Sequence, residues 1–133
     1  MTGTTHPHYL LDTVAAIAIL ENDPAFQGLI PSDARASVPI ITVGELYAAA
    51  ENSARVQANL QRFVEFASRR DVLMCDEQTA REYARISYQL RKKGRPIPQN
   101  DMWIAAIAMQ YQLVLVTRDA HFRNIDGLLL QTW

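Results

Sequence analysis

Short apolar runs alternate with helical segments along almost the whole chain, and this alternation restricts the fold more than any other feature of the sequence. The runs are Tyr9-Leu10-Leu11, Val38-Pro39-Ile40-Ile41-Thr42, Asp71-Val72-Leu73-Met74-Cys75, Leu113-Val114-Leu115-Val116 and Leu128-Leu129-Leu130-Gln131-Thr132. Between them lie an apolar helical run over 14–20 and a 3.6-residue pattern over 46–67 that reads as two helices or one bent one. A further helix is capped by Asp76, with Ala80, Tyr83, Ala84, Ser87 and Leu90 inward, and ends at Arg91-Lys92-Lys93-Gly94. Cations followed by glycine are what a helix C-terminus favours. A shorter helix, interrupted by Gly28 and Pro31, is expected within 24–37. Strands alternating with helices predict an α/β fold with a parallel sheet covered on both faces. In such a sheet the ligand site lies beyond the carboxyl ends of the strands.

The last long helix carries the most telling residue. In Pro96-Ile97-Pro98-Gln99-Asn100-Asp101-Met102-Trp103-Ile104, the prolines keep the approach extended, Asn100 is a favoured N-cap, and Asp101 falls at the first helical position. The segment 104–109 that follows is apolar nearly all round, so Asp101 is a lone carboxylate at the rim of a core. An anion there also complements the helix dipole, worth about 0.3–1 kcal/mol, and that is the plain structural reading. Three other acids, Asp12, Glu45 and Asp119, stand at the exits of strand-like runs, and a parallel sheet brings all four to one edge. For Glu45 a structural reading competes, since Thr42-Val43-Gly44-Glu45 matches a capping box. Neighbouring carboxylates repel by about 4 kcal/mol per pair at about 4 Å and an effective dielectric of about 20. A divalent cation removes that conflict, and oxygen-only ligands point to Mg²⁺ or Mn²⁺. Such a site suits phosphodiester cleavage by a metal-activated water, which needs no protein nucleophile.

Other chemistries find little support. The single cysteine, Cys75, excludes an internal disulfide and a Cys-based zinc site, and lacks a positioned histidine. No Gly-rich phosphate loop is present. The net charge of −1 gives no bulk attraction to nucleic acid or membrane, so any basic site must be local. Neither a signal sequence nor a span is visible, and a soluble, cytoplasmic protein is expected: one domain over 1–133, with 1–8 as a flexible tail.

Four segments carry a family resemblance: Leu10-Leu11-Asp12-Thr13, Ile41-Thr42-Val43-Gly44-Glu45-Leu46, Asn100-Asp101-Met102-Trp103-Ile104-Ala105-Ala106 and Leu115-Val116-Thr117-Arg118-Asp119-Ala120-His121-Phe122. Together they resemble the signature segments of PIN-domain ribonucleases, and their order and spacing are most similar to the VapC toxins of toxin–antitoxin pairs. The resemblance spans essentially the whole chain. It implies a three-layer α/β/α fold with strand order 3-2-1-4-5, a homodimer, Mg²⁺- or Mn²⁺-dependent RNA cleavage, and inhibition by a VapB-type antitoxin. Carried over residue by residue, it makes Asp12, Asp101 and Asp119 metal ligands and Glu45 the fourth catalytic acid, binding through water or acting on the attacking water. Thr13 and Thr117 become the partners that orient the carboxylates. Val14 departs from the pattern, since many relatives carry Asn or Ser there.

The remaining candidates have plainer readings beside functional ones. Arg91, Lys92, Lys93 and Arg95 are RNA contacts or a solvated helix end, and Arg118 is a substrate contact, a partner of the acids or neither. His121 and Phe122 are expected to pack the turn after the fourth strand. Trp103 and Trp133 are expected to pack, and His6 and His8 to lie in the tail. Two other functions stay open: a non-catalytic PIN-like nucleic-acid-binding module, and a haloacid-dehalogenase-type phosphatase. The latter needs a second aspartate where Val14 stands.

Overall fold

The computed structural model describes residues 5–133, so the first half of the expected tail, 1–4, lies outside the described residues. The elements in chain order are β1 (Tyr9–Leu11), α1 (Thr13–Leu20), β2 (Ala36–Pro39), α2 (Ile40–Glu51), α3 (Val56–Ser68), β3 (Val72–Leu73), α4 (Glu77–Lys93), α5 (Gln99–Tyr111), β4 (Val114–Thr117), a 3₁₀ turn (Ala120–Asn124) and β5 (Leu129–Thr132). The strands form one sheet in the order β3-β2-β1-β4-β5, and all four pairings are parallel. The fold and strand order are those expected.

Alternation along the central strands builds the three layers. Leu10 and Leu115 point to one core with Ile86 and Leu90 of α4 and Ile104 and Ile107 of α5. Tyr9, Leu11 and Val116 point to the other, with Ala15 of α1, Leu46 of α2 and Phe66 of α3. Both faces of β1 and β4 are therefore dry, which is why these runs are continuously apolar. No helix among the described residues is long and apolar enough to cross a membrane.

Several local expectations give way. The second strand ends at Pro39, and Ile40 and Ile41 open α2 instead of extending the sheet. A short β-branched run fits either a buried strand or a buried helix, and periodicity alone cannot separate the two. Residues 24–37 hold turns and bends up to β2, with no helix. The inner face of α4 is Thr79, Glu82, Ile86 and Leu90, whereas Ala80 and Ala84 are exposed. Its ends are as read: Asp76 forms a capping box with Thr79, and Gly94 closes the helix at φ 65°, a left-handed conformation open to glycine. The expected tail is engaged from His6 onward. His6 lies 3.0 Å from Asp33, the His8 ring is 2.7 Å from Ser37 Oγ, and the His8 carbonyl accepts from the Val114 amide.

Candidate active site

Two of the acids, Asp12 and Asp119, sit where a strand hands over to a helix or turn, and each is held by its own backbone context. Asp12 follows β1 as the N-cap of α1, and its Oδ1 accepts from the Ala15 amide at 2.8 Å. It is only 3% exposed. Burial pushes its carboxyl up to about 6, against hydrogen bonds from the Thr117 side chain and the Ala15 amide, while Asp101 and Asp119 add to the rise. Asp119 lies two residues beyond β4, where its amide donates to Thr117 Oγ1 at 3.1 Å. Thr117 is fully buried between the two acids.

Asp101 is in the first turn of α5, but the helix starts earlier than expected. Pro98 is the N-cap, so Asn100 and Asp101 are the second and third helical residues. Asn100 Nδ2 instead reaches 3.5 Å from Glu45 Oε2. Burial raises the Asp101 carboxyl, His121 opposes this, and Glu45 and Asp119 raise it further. The Thr42–Glu45 capping box does not form, because α2 begins two residues before Thr42, at Ile40. Thr42 is buried and its hydroxyl donates to the Leu11 carbonyl at 3.3 Å. Glu45 is thereby free to turn toward α1, where Thr13 Oγ1 donates to its Oε1.

The tightest group of ligand-type side chains differs from the expected one. Asp101, Asp119 and His121 each offer one ligand atom within 4.8 Å of the others. His121 was expected to pack the turn; instead its Nε2 is 3.1 Å from Asp101 Oδ2 and 4.0 Å from Asp119 Oδ2. The sequence signal that could have found it is the Asp-x-His spacing at a strand exit, placed on one side by the 3₁₀ turn. Phe122 does pack, with no exposed surface. Asp12 and Glu45 join the group through their electrostatic coupling to Asp101. Mutual repulsion among carboxylates, one of them buried and two half-buried, is what a hard divalent cation relieves, so the residues present fit one.

The cations lie around this group in different states. Lys93 is committed: its Nζ donates to the Asn124 carbonyl at 2.7 Å and pairs with Asp126 at 2.6 Å. Arg91, Lys92 and Arg95 are exposed at the end of α4. Arg118 is exposed and stacks its guanidinium 5.1 Å over the Trp133 ring, away from the closure onto the acids considered above. Trp103 stacks on Tyr83 at 4.0 Å, a packing role joining α5 to α4.

A PIN-domain family model matches residues 9–128, nearly the full described length. The chain belongs to the PIN-domain family. Within this family it is 33% identical to Ribonuclease VapC1 of Haemophilus influenzae, over 94% of this chain and 97% of that one. It is 32% identical to the tRNA(fMet)-specific endonuclease VapC of Salmonella typhimurium, with 94% and 97% covered. Among solved structures it superposes on DNA-bound VapBC from Salmonella typhimurium with a TM-score of 0.84 and 32% identity, covering 96% of this chain and 99% of that one. The chain thus stands among the VapC ribonucleases, and its PIN domain carries acids at all four expected positions.

Proposed function

We propose that this PIN domain is a Mg²⁺- or Mn²⁺-dependent endoribonuclease, the toxin of a VapBC-type pair, acting as a single domain and cleaving RNA phosphodiesters by an activated water. The observation that carries this reading is the convergence of Asp12, Asp101 and Asp119 with Glu45 at the carboxyl edge of β1 and β4, with Asp12 pushed upward by burial, Asp101 and Asp119, and Asp101 by burial, Glu45 and Asp119. A divalent cation held there would supply the acidity that activates water and the charge that offsets what builds on the phosphate. Asp12, Asp101 and Asp119 hold it, and Thr117 orients Asp12 and Asp119. Glu45, fixed by Thr13, orients the attacking water and accepts its proton. Arg91, Lys92, Arg95 and Arg118 offer exposed positive charge to the RNA backbone, while Lys93 holds the end of α4 to the turn beside the site.

The relative named as specific for tRNA(fMet) makes tRNA the first substrate to try. The VapBC likeness supports a VapB-type antitoxin as partner, and a homodimer is the working form this reading expects. The experiment is cleavage of total RNA and purified tRNA by the antitoxin-free protein, with Mg²⁺, Mn²⁺ or EDTA, beside Asp12→Ala and Asp101→Asn. Discrete fragments that require metal, Asp12 and Asp101 are expected. Cleavage that survives EDTA or either substitution overturns the mechanism. Phosphatase activity without RNA cleavage would favour the dehalogenase-type reading, and RNA binding without turnover the binding module.

A further inference from the structure

His121 belongs to the site more closely than a packing residue would. Ligand atoms about 2.1 Å from an octahedral ion stand about 3 Å apart when adjacent and about 4.2 Å apart when opposite. The 3.1 Å between His121 Nε2 and Asp101 Oδ2 is the spacing of an adjacent pair, and the 4.0 Å to Asp119 Oδ2 is near that of an opposite pair. All three donor atoms lie within 4.8 Å of one another, a little more than the diameter of that coordination sphere, and the outer member, Asp119, is exposed. The ring is also presented by its own turn. Asn124 Nδ2 donates to the His121 carbonyl at 3.2 Å, and the ring leans on fully buried Phe122 at a centroid distance of 4.7 Å. An imidazole fixed by its own segment, with Nε2 toward two carboxylates, is preorganised to ligate and loses little freedom on doing so.

We propose that His121 binds the divalent cation directly through Nε2, beside Asp101 and Asp119, so that the centre is mixed nitrogen–oxygen and not all-oxygen. This rests on the metal-dependent reading above and deepens it. The consequence is metal preference. Mg²⁺ takes oxygen ligands and gives up water reluctantly, whereas imidazole suits the first-row transition ions, so the nitrogen tilts the site toward Mn²⁺.

The test is electron spin-echo envelope modulation of Mn²⁺ bound to the untagged full chain, with competitive Mn²⁺ and Mg²⁺ titrations of wild type, His121→Asn and Asp101→Asn. Nitrogen modulation is expected in the wild type and absent from His121→Asn. Mn²⁺ affinity of that variant should fall about tenfold or more, and Mg²⁺ affinity less. Histidine labelled with ¹⁵N should change the wild-type modulation, which serves even where the variant fails to fold. Bound Mn²⁺ with no response to that label overturns the ligand assignment and leaves the metal centre standing. Wild type that binds no Mn²⁺, or Asp101→Asn that binds it equally well, overturns the metal reading itself.

Discussion

Thr13, the first residue of α1, donates its hydroxyl to the carboxylate of Glu45, 32 residues later in α2. The residue that follows Asp12 therefore sets where another acid of the site stands. Thr13→Val keeps the shape and removes the donor. RNA cleavage should fall about tenfold or more, the usual cost of losing a group that orients a metal-site carboxylate. Stability should fall by only about 1 kcal/mol. Comparison of kcat/KM with thermal unfolding separates the two effects, and Thr13→Ser should restore the rate. Full activity in Thr13→Val would mean that Glu45 needs no such tether.

Asp12 makes the metal-free protein sensitive to pH in a definite direction. Its carboxyl sits at about 6 in the fold, above its ordinary 3.8, mainly because it is buried. The folded state thus holds a proton that the unfolded chain has released. The stabilisation from that proton is complete below about pH 4 and is lost as pH rises through about 6. The full loss is about 3 kcal/mol for a shift of this size. Asp101, also raised, acts in the same sense. Asp12→Asn, which keeps an oxygen for the Ala15 amide, should raise the Tm above pH 6 and flatten its dependence between pH 4 and 6. Thermal scans in EDTA across that range check this, and a variant with the wild-type slope would remove Asp12 as its source.

The parallel sheet was legible in the strand patterning, which places Asp12 and Asp119 at the same edge, whereas the strand order came from the family resemblance and not from the pattern. What escaped the sequence depended on choices between equivalent local partners. Thr42 could cap a helix or bond the Leu11 carbonyl, and the outcome was decided by Ile40 and Ile41 joining α2 early. Asn100 could cap α5, but the helix begins at Gln99 and leaves its amide toward Glu45. His121 looked like packing because the side its ring takes is set by a 3₁₀ turn, whose register no periodicity in a five-residue stretch reveals.

Away from the site, α4 is joined to α5 by a compact polar network. Buried Thr79 accepts from the Asp76 amide at 2.9 Å and donates to Gln110, whose Nε2 donates to Asp76 Oδ1 at 2.8 Å. Thr79→Val leaves the Asp76 amide and the Gln110 oxygen without this partner. The expected cost is about 1–3 kcal/mol, with kcat/KM unchanged at temperatures where the variant is folded. Urea unfolding and cleavage assays measure both. A loss of rate without loss of stability would show that this joint reaches the site.

Phe122 couples the core to the site through one residue of separation. Its ring is fully buried against α5 and its neighbours in the core, and the 3₁₀ turn it anchors carries His121 to Asp101 and Asp119. Phe122→Ala should cost about 3–5 kcal/mol from the cavity it leaves, enough to threaten folding. Phe122→Leu removes less volume, should cost under about 2 kcal/mol, and so keeps the test usable. If the turn positions His121, Phe122→Leu should weaken Mn²⁺ binding severalfold while the far-ultraviolet dichroism stays that of the wild type. If Mn²⁺ affinity is untouched while stability falls, Phe122 serves the core alone and the His121 ring is positioned by the carboxylates it faces.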